Sequence, residues 1–291
     1  MLSDIENAAP LCSTPIHFDD IKEEHPKFYI EGINRIKDYI VEGDIFQVNL
    51  SRQWSAKANT AFSPSRLYQM LRNANPSPFS GIAAFDNHTI ISSSPERLVT
   101  TRGKTIETRP IAGTRPRSTD EDKDQQLAEE LMQNEKETAE HIMLIDLERN
   151  DLGRVCQPGS IEVNELMVRE TYQHVHHIVS NVRGEIRNNI TPGDIIRAVF
   201  PGGTITGCPK VRCMEIIHEL ENTARGAYTG SMGYVNDNGD MDLNILIRTL
   251  ITDNQSVTFR AGGGIVADSN AGREVEETRS KAKGLLRALQ S

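Results

Sequence analysis

The chain has 291 residues, 37% hydrophobic and 25% charged, enough apolar material for a sizeable core in one large or two average domains. A net charge of −9 and a pI near 5.4 exclude a nucleic-acid surface, which needs clustered Lys and Arg in excess. They leave room for a few buried cations that hold a small anion. In chain order, residues 1–25 are polar and aperiodic and read as a loose leader, with residues 26–291 as the folded domain. Phe28, Ile33, Ile36, Tyr39 and Ile40 recur at the helical period and predict a helix over Pro26–Val41, ended by Gly43–Asp44. A strand is expected over Ile45–Trp54, a helix over Pro64–Asn73, then strands at Gly81–Phe85, Thr89–Ser93 and Leu98–Arg102. Asp120–Asp146 is charged and then amphipathic and predicts one long helix. Strands follow at Ser160–Val163 and His174–Val182, with a helix capped at Thr191–Gly193 running through Phe200. Pro209 suits the opening of a helix over Val211–Leu220. Gly230–Val235, Leu243–Thr252 and Ser256–Ala261 predict strands, and Arg273–Leu289 a terminal helix. Strands often follow strands, so the expected class is α+β rather than a regular βαβ winding.

No run approaches ~18 apolar residues, and no basic segment with an apolar stretch opens the sequence, so a reduced, cytoplasmic protein is expected. The cysteines, Cys12, Cys156, Cys208 and Cys213, lack paired metal spacing and read as free thiols.

Two acidic pairs stand out: Glu137 with Glu140, and Glu274 with Glu277, each three apart and so on one face of its predicted helix. Four carboxylates brought together need a cation between them, and a hard ion with oxygen ligands suits magnesium. Spacing alone leaves a solvated acidic face as the commoner outcome. Two glycine concentrations, Gly202–Gly203 in FPGGTITG and Gly262–Gly264 in AGGGI, match no phosphate-loop or dinucleotide pattern, and a tight turn without ligand explains either. Arg248 sits in an apolar stretch; if buried it needs an anion, whether a substrate carboxylate or an internal salt bridge. His174, His176 and His177 fall together, with alternation placing His177 on the opposite strand face; it is an acid/base candidate, though a structural histidine is commoner.

Taken together, GDIFQVNLSR, SSSPERL, ETRPIAGTRPR, AEHIMLIDLERNDLGRV, FPGGTITGCPKVRCMEII, GSMGY, AGGGIVADS and EETRSKA closely resemble the chorismate-utilising enzymes, from about Gly43 to Leu289. The resemblance implies two large, mostly antiparallel sheets packed together with helices outside and a chorismate-binding catalytic site between them. It implies that Glu140 and Glu277 are magnesium ligands, with Glu137 and Glu274 beside them. Arg248 and Tyr228 would hold a carboxylate, with the Gly262, Gly263 and Gly264 backbone and Lys281 nearby, and Thr204 would line the ring pocket. Glu96 matches the family's general acid and His177 the histidine near the ring hydroxyl or the pyruvyl elimination.

Water-adding members carry a lysine base where this chain has Gln47, and a glutamine cannot deprotonate water, so ammonia is the expected nucleophile. Ala112 in PIAGT stands where the covalent lysine of PIKGT would be, so lysine-type covalent catalysis at that position is excluded. PIAGT by itself points to anthranilate synthase. FPGGTITGCPK and AGGGIVADS resemble the aminodeoxychorismate synthase branch, towards p-aminobenzoate and folate, which is the branch favoured; anthranilate synthase is the alternative, and a non-catalytic chorismate-binding regulator a further one. No amidotransferase segment is visible, so ammonia from glutamine would come through a separate glutamine amidotransferase subunit. The short stretch before GDIFQ lacks most of the family's N-terminal region, so tryptophan feedback is not expected.

Overall fold

Alternation in Gln47–Ala58 builds the longest strand, β2, whose Val48, Leu50, Trp54 and Ala56 are buried. The computed structural model describes residues 15–171 and 175–290, so residues 1–14, including Cys12, and His174 lie outside the described residues. Among the described residues two seven-stranded sheets form, every pairing antiparallel. The first runs β1 (Phe18–Glu23), β2, β14 (Ser256–Ile265), β13 (Thr249–Asp253), β4 (Thr89–Ser94), β3 (Phe79–Ala84), with β10 (Gly207–Cys208) also on β2. The second runs β11 (Gly233–Val235), β12 (Met241–Asn244), β5 (Arg97–Arg102), β6 (Thr105–Thr108), β9 (Val175–Glu185), β7 (Ile111–Pro116), with β8 (Glu162–Thr171) also on β9. This is the expected α+β class. No helix among the described residues is long and apolar enough to cross a membrane.

The first sheet is covered on one side by α2 (Pro64–Ala74) and α7 (Ala271–Gln290), where Leu67, Leu71, Leu285 and Leu289 pack on Trp54 and Phe259. The two aromatic rings stack with centroids 5.5 Å apart and planes 3° from parallel. Another cluster joins β2 and β14 to α1 (Pro26–Val41) and α6 (Lys210–Leu220), through Ile33, Ile36, Val48, Leu50 and Ile216. The second sheet packs on α4 (Glu135–Gly153) and α5 (Pro192–Val199) through Val99, Ile106, Ile145, Leu152 and Ile195. Thr191 caps α5 with a reciprocal Asp194 pair.

Several expectations are corrected. The leader over residues 1–25 is not loose to its end: Phe18–Glu23 is an edge strand, Phe18 opposite Ala58 and Glu23 opposite Trp54. The single helix over Asp120–Asp146 is two, α3 (Glu121–Gln133) and α4, because Asn134 ends one and caps the next, its side chain accepting from the Glu137 N–H at 3.1 Å. Glu137 and Glu140 therefore stand in the opening turns of α4, where the helix dipole favours carboxylates. The strand over Leu243–Thr252 is also two, and they lie in different sheets.

That split creates a crossing between sheets at residues 245–248, beside another at Pro95–Glu96, which links β4 of the first sheet to β5 of the second. The two crossings are stitched together: Ile245 N–H donates to Glu96 O at 3.0 Å and Ser93 N–H to Arg248 O at 3.1 Å. Arg248 is left-handed at φ 50°, as is Thr229 at φ 65° on the neighbouring wall.

Candidate active site

Between the sheets lies a cavity of about 770 Å³, within the range of small-molecule sites. Its lining includes Gln47, Glu96, Ala112, Glu137, Glu140, His177, Thr204, Tyr228, Arg248, Gly262, Gly264, Glu274, Glu277 and Lys281. Of the residues singled out in the sequence, Gly263 is not part of the lining, and neither are His176, Gly202 and Gly203. A Cβ at Gly263 would face Glu277 Oε1 at 3.5 Å, Lys281 Nζ at 3.6 Å and Glu274 Oε2 at 3.7 Å, three side chains of the lining. At Gly264 a Cβ would collide with Gln47 Nε2 and stand 3.0 Å from Glu140 Oε1. Bare backbone at these two positions is what lets the carboxylates approach β14.

The four carboxylates reach this cavity from α4 and α7, each already engaged in part by the protein. Glu137 accepts from Arg115 at 2.7 Å, Glu140 from Gln47 Nε2 at 2.7 Å, and Glu277 pairs with Lys281 at 2.8 Å. Glu274 is buried. Among the described residues no three His, Cys, Asp or Glu side chains are gathered tightly enough to hold a metal ion. The donor chemistry nevertheless suits a hard cation: carboxylate oxygens over a floor that any side chain would fill.

On the facing wall, Thr204 donates to Glu96 Oε1 at 2.8 Å. Burial raises the Glu96 pKa, while the Thr204 hydrogen bond, Arg248 and Lys281 restrain the rise. Burial pulls the Arg248 pKa down, opposed by Glu96 and Tyr228, and pushes the Tyr228 hydroxyl up to about 12. Glu96 and Arg248 occupy the two sheet crossings, so an acid and a guanidinium are offered side by side to an anionic guest. His177 Nδ1 lies 3.2 Å from Gly113 O and 3.0 Å from Thr114 Oγ1. Donation to that carbonyl fixes the proton on Nδ1 and leaves Nε2 as the basic nitrogen, and burial lowers the ring's pKa. Ala112 packs with Leu144 and Leu147 into an apolar patch of the wall.

Arg115 and Asn49, which also line the cavity, were not singled out in the sequence. Asn49 was findable, since it shares a strand face with Gln47; Arg115 was hidden in a loop-like GTRPR run. Behind the cavity, buried Glu148 neighbours Asp151, whose carboxylate holds Lys210 at 2.6 Å. Burial first, and then Asp151, lift the Glu148 carboxyl from an ordinary 4.5 to about 8. A raised carboxyl contributes stability that is complete below pH 4.5 and lost as pH climbs through about 8. Glu148→Gln is therefore expected to gain a few kcal/mol, roughly, over the parent at about pH 9 and nothing at about pH 5. Thermal melts at both pH values check this, and an equal difference at each would refute it.

Similarity to known proteins bears on this site. A Synechocystis "anthranilate synthase component I-like protein" is 52% identical over 262 residues, covering 90% of this chain and 54% of the relative. A Bacillus subtilis "aminodeoxychorismate synthase component 1" is 51% identical, covering 90% of this chain and 55% of the relative. This chain thus spans about half the length of those curated relatives. The crystal structure of anthranilate synthase component I from Streptococcus pneumoniae superimposes with a TM-score of 0.85 at 39% identity, covering 97% of this chain and 63% of that one. The family model described as "chorismate binding enzyme" matches residues 6–287, nearly the whole sequence, and the chain belongs to that family.

Proposed function

We propose that this chain aminates chorismate at C4 with ammonia to give 4-amino-4-deoxychorismate, the step towards p-aminobenzoate. The observation that carries the reading is the pair Gln47 and Ala112 on the cavity wall. Neither supplies a base for water nor a side-chain nucleophile, so the nucleophile enters from outside and arrives already nucleophilic. Arg248 and Tyr228 bind one substrate carboxylate, and Thr204 and Ala112 border the ring. Glu96, whose burial favours the protonated form, gives its proton to the departing 4-hydroxyl. The C–O bond breaks as the C–N bond forms; water leaves, and the new ammonium loses one proton, which restores Glu96. Magnesium is the cofactor we assign to Glu137, Glu140, Glu274 and Glu277; bound there, it supplies Lewis-acid charge for a second substrate carboxylate. Ammonia would come from a glutamine amidotransferase subunit, in keeping with the "component" naming of the relatives.

The second reading, anthranilate synthase, is favoured by relatives of that name, such as the Aquifex aeolicus protein at 48% identity. There His177 Nε2 would take up the ring proton as pyruvate departs. Incubation of the chain with chorismate, magnesium and an ammonium salt at alkaline pH separates the two. The expected product becomes p-aminobenzoate only after aminodeoxychorismate lyase is added. Fluorescent anthranilate without that lyase overturns the branch, and unconsumed chorismate overturns the amination itself.

A further inference from the structure

Strand β2 sends Val48 and Leu50 into the α1–α6 core, so Gln47 and Asn49 turn to the other face and line the cavity. The nitrogen end of each amide is committed. Gln47 Nε2 donates to Glu140 Oε1 at 2.7 Å, and Asn49 Nδ2 to the Thr204 carbonyl at 3.4 Å. Both partners only accept, which fixes the orientation of each amide. The carbonyl ends, Gln47 Oε1 and Asn49 Oδ1, are buried with no hydrogen-bond partner among the described residues. Gln47 as a whole is only 4% exposed, so its oxygen cannot be left to bulk water. Two such acceptors two residues apart on a strand, about 7 Å between their Cα atoms, ask for a guest that offers hydrogens.

We infer that Gln47 Oε1 and Asn49 Oδ1 form the seat for the incoming ammonia, a role that rests on the amination proposed above. Chorismate itself is a poor occupant: its carboxylates and ether oxygen only accept, and its hydroxyl has a single hydrogen to give. Ammonia has three hydrogens and one lone pair. Two N–H groups donated to the two carbonyls leave that lone pair uncommitted, and an amide carbonyl does not compete for it by giving up a proton. Water can donate to the same oxygens, yet neither amide can take a proton from it. Gly264, opposite Asn49 in the ladder, keeps room over the Gln47 amide, since a Cβ there would strike Nε2. The seat thus depends on three residues, of which Gln47 also orients Glu140.

Asn49→Leu keeps the branched shape and removes the acceptor, together with the Nδ2 donor to the Thr204 carbonyl. Its apparent KM for ammonium should rise ~10-fold or more, with KM for chorismate changed less than about twofold. A rise in both together, or in chorismate KM alone, overturns the seat. The unmodified chain gives a test that needs neither the variant's folding nor turnover. Its side-chain amide resonances for Gln47 and Asn49, identified through Gln47→Glu and Asn49→Asp, should shift on titration with ammonium chloride at alkaline pH and stay still with potassium chloride. Resonances unmoved by ammonium overturn the seat. Chorismate left unconsumed while the resonances shift condemns the amination and leaves the seat standing.

Discussion

Glu140→Ala is expected to slow chorismate turnover at least ~10²-fold, with no recovery at saturating magnesium. The side chain serves two neighbours at once. Its carboxylate is one of those assigned to the cation, and its Oε1 accepts the Gln47 amide proton that fixes how Gln47 presents its carbonyl. Alanine deletes both, and the opening turns of α4 lose a favourable negative charge. Glu137→Ala should cost less, because Glu137 is already drawn towards Arg115 at 2.7 Å. Initial rates across a magnesium titration separate a weakened cation site from a misfolded one, with circular dichroism as the control. A near-parental rate at saturating magnesium would remove Glu140 from the assigned site.

Arg248→Met should raise KM for chorismate ~10²-fold, since a charge-assisted hydrogen bond in a buried setting is lost. Methionine fills much the same length, so the change isolates charge and fork geometry from packing. Lysine should restore only part of the affinity, because a point charge cannot grip a carboxylate at two oxygens. A second consequence runs through Glu96. Arg248 is among the groups restraining its raised pKa, so the variant's alkaline limb should move to higher pH. Steady-state KM and kcat measured across pH read both effects, and an unchanged KM would exclude Arg248 from substrate binding.

Much of this architecture was legible wherever local pattern and tertiary role coincide. Helix α1 follows from Ile33, Ile36 and Tyr39, and helix α6 starts just beyond Pro209, as its ring geometry suggests. What periodicity could not show is a change of partner. Residues 243–252 alternate as one strand would, yet the chain leaves one sheet at Asn244 and joins the other at Thr249. Nothing local marks that event, although it is what puts Arg248 in the cavity. Asn134 is a subtler case, a polar residue within a helical pattern whose cap role shows only once the chain turns there. Strand β1 escaped notice because Phe18 and Ile21 are its only apolar residues and its register comes entirely from β2. The glutamates were visible as pairs, but their convergence on one cavity depends on β14, a strand far from α4 in sequence.

The left-handed backbone at Arg248 and Thr229 sets heat tolerance against recognition. Each holds a side chain in a region that costs of order ~1 kcal/mol for anything but glycine or asparagine. Glycine at 248 would relax the chain and delete the guanidinium in the same stroke. A library screened only for survival of heating should therefore drift first at this crossing, trading away its grip on a carboxylate for a calmer backbone.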